Sequence, residues 1–200
     1  MNLYTKHKQV ILASSSQTRI SYIKKYFDRI LAVKHKVQES NIKKQNAELS
    51  FKDLAELLSK KKAESIIDKY PQSIIIGSDQ ILVCDGKIRN KSNSLSKAKE
   101  NLINLRGKKH RLISSTYVIK SKKFYFKETK DAEILFKNIS KRKIEEYLQE
   151  EKKNVLMSVG SYRIEDNSKY NFLTVLKGDY ETIIGFPLKN LVKKLTKDTK

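Results

Sequence analysis

Cysteine, proline and glycine are scarce in this chain, which contains one, two and six of them among its 200 residues. A single cysteine, Cys84, can form no intrachain disulfide, so we expect a reducing, cytoplasmic environment. No apolar run approaches the roughly 20 residues that a bilayer-spanning helix needs, and we therefore expect no membrane association. The length predicts a single domain over residues 1–200, with two lobes and a frayed tail at 196–200.

Several common catalytic and binding motifs are missing. There is no G-x-x-x-x-G-K-[ST] or G-x-G-x-x-G phosphate loop, no H-E-x-x-H zinc motif and no G-x-S-x-G nucleophile elbow. The three histidines, His7, His35 and His110, are far apart and have no cysteine pair nearby. We therefore do not expect a structural zinc site.

Acidic residues are outnumbered, because 43 lysines and arginines face 22 aspartates and glutamates, which gives a net charge of +21. Clustered basic residues would favour nucleic-acid binding, since they neutralise phosphates and release counterions. Only seven of them are arginine, the residue that phosphate recognition prefers, and the lysines are spread from Lys6 to Lys200. We expect no specific nucleic-acid site, but a basic nucleic-acid-binding protein without catalysis remains the alternative.

The most informative stretch is a pair of apolar segments, Ile74–Ile76 and Ile81–Cys84, with a polar interruption between them. Both segments are β-branched and apolar on both faces, which predicts two strands buried in a sheet. Asp79 lies in the interruption, and a buried carboxylate is costly unless something pairs with it. A metal ion or a metal-bound phosphate would be such a partner. The alternative is an ordinary turn or helix-capping aspartate.

A serine-rich turn, Ser14–Ser16, connects a predicted strand to a helix predicted from about Gln17 to Phe27. Such a turn can bind an anion, because unpaired backbone N–H groups point out of the helix start. Arg19 lies in the first turn, where the helix dipole disfavours a cation unless an anion accompanies it. Ordinary helix capping beside a surface arginine is the alternative.

Two further charged residues are ambiguous from the sequence alone. Glu39 begins a polar segment that we predict as a loop. Lys62 falls on the apolar stripe of a helix predicted over about 51–68, at helical spacing from Leu58 and Ile66. A lysine on an inward face either extends its amine to solvent or reaches a buried anion, and the first outcome is commoner.

The rest of the chain alternates between helical and extended patterns. Asp85-Gly86 predicts a hairpin turn, and Pro187 is expected at the first position of the last helix. The other predicted elements are a helix over 94–105, extended segments over 110–119, 123–129 and 132–136, a capped helix over 140–148 and a strand over 172–176.

Three ordered stretches together resemble the Maf family of nucleoside triphosphate pyrophosphatases, and the resemblance runs from about Val10 to Leu195. They are Leu12–Arg19, Gly77–Gln80 with Asp85–Ile88, and Gly178–Tyr180 with Gly185–Leu188. The resemblance implies an α/β protein of the Maf/ITPase-like fold, with a central mixed β-sheet flanked by helices and two lobes around a deep cleft. It also implies a hydrolase that cleaves the α–β phosphoanhydride of a modified nucleotide, releasing a monophosphate and pyrophosphate with a divalent metal, Mg²⁺ or Mn²⁺.

The resemblance also assigns roles to individual positions. Asp79, Glu39 and Lys62 would be catalytic, and Glu39 and Asp79 would bind the metal. Substrate-binding roles fall on Ser14, Ser16, Arg19, Lys91, Gln80 and Glu165. The nucleotide is the expected partner, and a homodimer is left open.

The branch of the family that acts on 7-methyl-GTP has Gly-Ser-Asp-Gln around the aspartate, as Gly77–Gln80 has here. Glu165 falls where that branch has a glutamate, and a carboxylate suits the two N–H donors of a guanine edge. A surface acid beside Arg163 is the alternative, and a dTTP or UTP pyrophosphatase is the alternative substrate class. The pattern departs at Gln17 and Ser92, where the family has proline, at Gln38, where it has aspartate, and at Asp166, where that branch has glycine. Ser92 predicts a less rigid loop around Lys91.

Overall fold

The computed structural model describes residues 9–198 and has a mixed α/β architecture, as predicted. Its strands are β1 Val10–Leu12, β2 Ile30–Ala32, β3 Ile74–Cys84, β4 Lys87–Arg89, β5 Lys109–Lys120, β6 Lys123–Phe136 and β7 Leu173–Lys177. Its helices are α1 Gln17–Ile23, α2 Glu39–Gln45, α3 Phe51–Glu64, α4 Leu95–Leu105, α5 Lys141–Met157, α6 Asn167–Tyr170, α7 Tyr180–Ile183 and α8 Lys189–Lys197. Single 3₁₀ turns occupy Ile67–Lys69 and Ile164–Asp166.

The strands form one seven-stranded mixed sheet with the order β2-β1-β3-β5-β6-β7, and β4 pairs with β3. Strand β1 is parallel to both β2 and β3, with Leu12 opposite Ala32 on one side and Ile76 on the other. Parallel neighbours need a crossover, and α1 provides it between β1 and β2. Strands β4 and β7 pair antiparallel to β3 and β6. The predicted central mixed sheet flanked by helices is therefore confirmed.

The described chain divides into two compact units. The first unit holds the described residues up to Asp79, the segment Ser114–Lys130, and the residues from Gly185 onwards. The second unit holds Gln80–Ile113 and Asp131–Ile184. Three strands, β3, β5 and β6, each contribute residues to both units.

Each unit has its own core. In the first unit the packed side chains are aliphatic, and they are Ile11, Ala13, Ala63, Ile66, Ile75 and Ile119. The core of the second unit is rich in aromatic rings, with Phe136 stacked on Phe172 at 5.3 Å and Tyr147 edge-on to Phe172 at 4.9 Å. Burying one such side chain contributes about 1.5–3 kcal/mol, so both cores are substantial.

Strand β3 differs from the prediction of two strands, because it continues through Asp79 for eleven residues without a break. The polar residues in its middle stay within the sheet, with Ser78 and Asp79 buried and Gln80 half-buried. The hairpin turn after it is confirmed, since Asp85 and Gly86 have φ values of 52° and 69°. Two positive φ angles in a two-residue turn match the twist of antiparallel strands.

The bounds of other helices and strands also differ from those predicted. The polar segment predicted as a loop after Gln38 forms helix α2, which buries none of its residues and so lacks an apolar stripe. The segments predicted separately over 123–129 and 132–136 are one strand, β6. Helix α5 runs well past its predicted end at 148.

The last helix, α8, begins at Lys189, so Pro187 precedes it and is not its first residue. Residues 199 and 200 of the predicted tail lie outside the described residues, and α8 extends to Lys197. Among residues 9–198, none of the helices combines the length and apolar character that crossing a bilayer requires.

Gly77 allows helix α3 to approach the sheet closely. A Cβ added at Gly77 would lie 2.1 Å from the carbonyl oxygen of Ser59 and 2.7 Å from the backbone nitrogen of Ala63. Both atoms belong to the backbone of α3, which cannot move aside as a flexible side chain could. The absence of a side chain at position 77 therefore sets the distance between α3 and β3.

We predict that Gly77→Ala lowers the free energy of unfolding by about 3 kcal/mol, because the added methyl group overpacks the contact between α3 and β3. The midpoint of urea unfolding measures the change. The matched control is Gly86→Asn, where a Cβ would meet nothing within 4 Å and asparagine tolerates the left-handed conformation. Equal midpoints for the two variants would contradict the close approach.

Candidate functional site

The amine of Lys62 lies between two carboxylates in the first unit. Its Nζ is 2.8 Å from Oε1 of Glu39 and 2.5 Å from Oδ1 of Asp79. Lys62 is only 5% exposed and Asp79 only 3%, so this is a buried ion pair that Glu39 extends toward the surface. The commoner outcome expected from the sequence, in which Lys62 extends to solvent, is therefore wrong. The amine instead reaches a buried anion, because α3 packs its inward face against β3.

Glu39 is the first residue of helix α2 and is not a loop acid. Burial acts to raise the pKa of Glu39, but the hydrogen bond from His35 and the positive charge of Lys62 outweigh it and lower the pKa below its ordinary value. The carboxylate therefore stays ionised at neutral pH. Nε2 of His35 lies 3.5 Å from Oε1 of Glu39, while Nδ1 of His35 accepts a hydrogen bond from the N–H of Val37.

Two buried polar atoms near this ion pair have no hydrogen-bond partner among the described residues, namely Oδ2 of Asp79 and Nε of Arg19. Nη1 of Arg19 donates to the carbonyl of Ser78 at 2.8 Å, which fixes the guanidinium beside β3. Burial lowers the pKa of Arg19, and the negative charges of Asp79 and Glu39 raise it in compensation. Arginine remains charged in proteins, so a cation and an unsatisfied carboxylate oxygen lie in the same region.

The serine turn before α1 is held by its own hydrogen bonds. The N–H of Ser16 donates to Oγ of Ser14 at 3.2 Å, and Oγ of Ser16 accepts from the N–H of Arg19 as the N-cap of α1. Helix capping is thus confirmed for Ser16. The phosphate-binding roles of Ser14 and Ser16 stay predictions.

The other predicted substrate-binding residues lie in the second unit, each on a different element. Gln80 follows Asp79 in β3, and Glu165 lies in the 3₁₀ turn Ile164–Asp166. Lys91 is exposed and pairs with Val159 through a backbone bridge. The structure therefore brings Arg19, Glu39, Lys62 and Asp79 together in one unit, and holds the other three residues in the second.

The loop around Lys91 is tied down by hydrogen bonds, contrary to the expectation from the missing proline. Ser92 is buried, and its Oγ lies 2.8 Å from Oγ of Ser161. Nδ2 of Asn101 donates to the same oxygen at 2.9 Å. The hydroxyl of Ser92 thus provides the restraint that a proline ring would otherwise supply.

Two residues of the site were missed in the sequence. His35 contacts Glu39 from the irregular segment between β2 and α2, four positions earlier, and no sequence period indicates such a contact. Ser78 is fully buried, and its Oγ lies 2.9 and 2.8 Å from the carbonyl oxygens of Ser115 and Gly185, which share its single hydrogen. No sequence pattern indicates these long-range partners, which lie 37 and 107 positions away.

The carboxylates of Glu39 and Asp79 are the residues that could hold a metal. Among the residues that the structure describes, no group of three or more His, Cys, Asp or Glu side chains could do so. Two carboxylates nevertheless fit Mg²⁺, which proteins commonly bind through one or two carboxylates together with the phosphates of a substrate. The unpaired Oδ2 of Asp79 is an oxygen ligand of the type that this ion prefers.

Comparisons with known proteins give matches that cover nearly the whole chain. The family model described as "Maf-like protein" matches residues 9–198. A "Nucleoside triphosphate pyrophosphatase" of Legionella pneumophila is 33% identical over 195 residues, which cover 98% of this chain and 96% of that protein. A "7-methyl-GTP pyrophosphatase" of Bartonella henselae is 32% identical over 186 residues, which cover 93% of each chain.

A solved structure, a nucleoside-triphosphatase described as a dITP/XTP pyrophosphatase from Mycobacterium abscessus, shares 12% identity with this chain. The match covers 66% of this chain and 75% of that one, with a TM-score of 0.40.

We predict that Lys62→Met lowers the free energy of unfolding in EDTA by about 3 kcal/mol, because it leaves a buried carboxylate without its cation. Mg²⁺ should then raise the melting temperature of the variant more than that of the wild type, since the freed carboxylates bind it more tightly. Thermal unfolding with EDTA and with Mg²⁺ measures both effects.

The control for this measurement is Lys61→Met on the same helix, where the exposed amine pairs with Glu64. An exposed ion pair contributes about 0–1 kcal/mol, so little change is expected. If Lys62→Met unfolds in EDTA at the same temperature as Lys61→Met, the buried ion pair does not stabilise the fold as described.

Proposed function

The chain belongs to the family of Maf-like proteins, which are nucleoside triphosphate pyrophosphatases and thus hydrolases acting on acid anhydrides, and we propose that it removes the modified nucleotide 7-methyl-GTP. In this reaction water attacks the α-phosphorus, the α–β phosphoanhydride breaks, and 7-methyl-GMP and pyrophosphate are released. The role would be the clearance of a modified nucleotide from the pool.

The observation that carries the proposal is the cluster of buried Lys62 and Asp79 with half-buried Arg19 and an unsatisfied carboxylate oxygen. A triphosphate carries several negative charges, and catalysis of its cleavage depends on positioning and on cations that stabilise developing charge. Arg19 and Lys62 would supply fixed positive charge to the phosphates. Ser14 and Ser16 would add hydroxyl and backbone donors at the start of α1.

Asp79 would act on the attacking water through Oδ2, the oxygen that has no partner within the described residues. The carboxylate would accept a hydrogen bond from the water and orient it toward the α-phosphorus, and would accept its proton as the new P–O bond forms. Lys62 holds the other oxygen of Asp79 and so fixes the direction of Oδ2.

Glu39 and Asp79 would hold a divalent metal, Mg²⁺ or Mn²⁺, which when bound neutralises charge on the leaving pyrophosphate. Glu39 suits this role because its lowered pKa keeps it ionised at neutral pH. His35 contacts the same carboxylate oxygen as Lys62 and restricts its orientation.

The choice of 7-methyl-GTP rests on the motif around Asp79, on Glu165 and on relatives. Gly77–Gln80 and Glu165 resemble the branch that acts on this nucleotide, and relatives from two Bartonella species are named 7-methyl-GTP pyrophosphatases. Glu165 would accept the two N–H donors of the guanine edge, and its charge suits a base that N7-methylation makes cationic. Other relatives are named only nucleoside triphosphate pyrophosphatases.

The proposal is tested by measuring pyrophosphate release from 7-methyl-GTP, GTP, UTP and dTTP with Mg²⁺ or Mn²⁺, for the wild type and for Glu165→Gln. We expect the wild type to prefer 7-methyl-GTP and the variant to lose about tenfold of that preference, since a bidentate contact to a base edge is worth about 1–3 kcal/mol. The matched control is Glu146→Gln, on the exposed surface of α5 in the same unit.

Preference for UTP or dTTP would retain the pyrophosphatase and refute the choice of base. No release from any nucleotide would refute catalysis and favour the nucleic-acid-binding alternative, which predicts binding that falls steeply with salt. An unchanged preference in Glu165→Gln would remove Glu165 from base recognition.

A further inference from the structure

The four-residue helix α7 in the second unit is held at both ends. At its start, Oδ1 of Asp179 accepts hydrogen bonds from the N–H and the hydroxyl of Thr182, at 2.8 and 2.7 Å. At its end, Nε2 of Gln80 donates to the carbonyls of Thr182 and Ile183, at 3.0 and 2.9 Å. A carboxamide nitrogen has two hydrogens, so Gln80 commits both of them to this helix.

Gln80 therefore acts on α7 through its amide nitrogen. We predicted from the family resemblance that Gln80 binds substrate, but its two donor hydrogens already have partners. The last carbonyls of a helix have no hydrogen-bond donors within the helix. Gln80 provides donors to two such carbonyls of α7, which is too short to be stable by itself.

The first residue of α7, Tyr180, presents its ring to solvent. Its exposed fraction is 44%, while Glu181, Thr182 and Ile183 after it are buried. Because the backbone of α7 is fixed at both ends, the backbone of Tyr180 is positioned before any ligand arrives, and only its side-chain torsions remain to be ordered. A contact made from such a positioned backbone loses less conformational entropy on binding than one made from a free loop.

Two charged groups of the second unit, Glu165 and Arg163, act electrostatically on the Tyr180 hydroxyl. Burial raises the pKa of Tyr180, the negative charge of Glu165 raises it further, and the positive charge of Arg163 lowers it. Nη2 of Arg163 lies 3.6 Å from Oε1 of Glu165, and both side chains are only partly exposed. An aromatic face and a carboxylate in one region suit a ligand that is flat, cationic and rich in N–H donors, because aromatic faces attract cations and stack on bases.

We propose that Tyr180 stacks on the nucleobase of the substrate and that Gln80 is a positioning residue that holds Tyr180 in place through α7. The inference rests on the proposed function and deepens it, because it assigns recognition of the base face to Tyr180 beside recognition of its edge by Glu165. It also gives a physical role to the glutamine that follows Asp79.

The first test compares Tyr180→Leu with Tyr180→Phe in steady-state hydrolysis of 7-methyl-GTP and GTP. Removing the ring should raise KM for 7-methyl-GTP about tenfold with kcat unchanged, since stacking contributes to binding and not to the chemical step. The rise should be smaller for GTP, whose base is neutral. Tyr180→Phe keeps the ring and should recover most of the lost affinity. The control is Phe124→Leu, which removes an exposed ring of the first unit.

The second test is a double-mutant cycle with Gln80→Glu, which keeps the shape of the side chain but removes both donor hydrogens. If Gln80 acts through Tyr180, Gln80→Glu should raise KM by several-fold with kcat within about twofold, and the double variant should bind no more weakly than Tyr180→Leu alone. Additive losses in the double variant would overturn the positioning role.

Binding of 7-methyl-GMP by equilibrium dialysis in EDTA separates this inference from the proposed function. If the wild type releases no pyrophosphate, the proposed function fails, and dialysis still reports whether Tyr180→Leu weakens binding of the base about tenfold. If the wild type is active and Tyr180→Leu matches it in both KM and dialysis, the stacking role is overturned.

Discussion

The contact of one lysine with two carboxylates is the interaction on which the proposed site depends. Burying the charge of Lys62 is costly unless a counter-charge is also buried, and Asp79 supplies it. To form this pair, the inner face of α3 must lie against the middle of β3. The two elements can approach closely enough because Gly77 has no side chain. The same contact leaves one oxygen of Asp79 without a partner, so the stabilising ion pair also prepares the group proposed to act on water.

The parts of the fold that depend on local sequence patterns were predictable. The β-branched run around Asp79 indicated burial, and the Asp85-Gly86 pair indicated the hairpin. The helices predicted from 94 and from 140 begin one residue later as α4 and α5, where Ser94 and Ser140 cap them. The motif around Asp79 also indicated the Maf family, and the family match over residues 9–198 confirms that prediction.

The rest depends on tertiary contacts that no local pattern encodes. The helical stripe left two outcomes open for Lys62, since it does not say which anion lies opposite, and the folded chain decides between them. Helix α2 was missed because Glu39–Gln45 buries none of its residues and so shows no hydrophobic period. The two hydrogen bonds of Gln80 link residues about 100 positions apart, so its role became visible only in the folded chain.

The central claim is that this site cleaves the α–β phosphoanhydride of a nucleoside triphosphate. It is tested most directly by ³¹P nuclear magnetic resonance of the products formed from 7-methyl-GTP with Mg²⁺, for the wild type and for Asp79→Asn. The account predicts 7-methyl-GMP and pyrophosphate in equal amounts with the wild type, and neither product with Asp79→Asn. Orthophosphate with 7-methyl-GDP, or equal turnover by the two proteins, would contradict it.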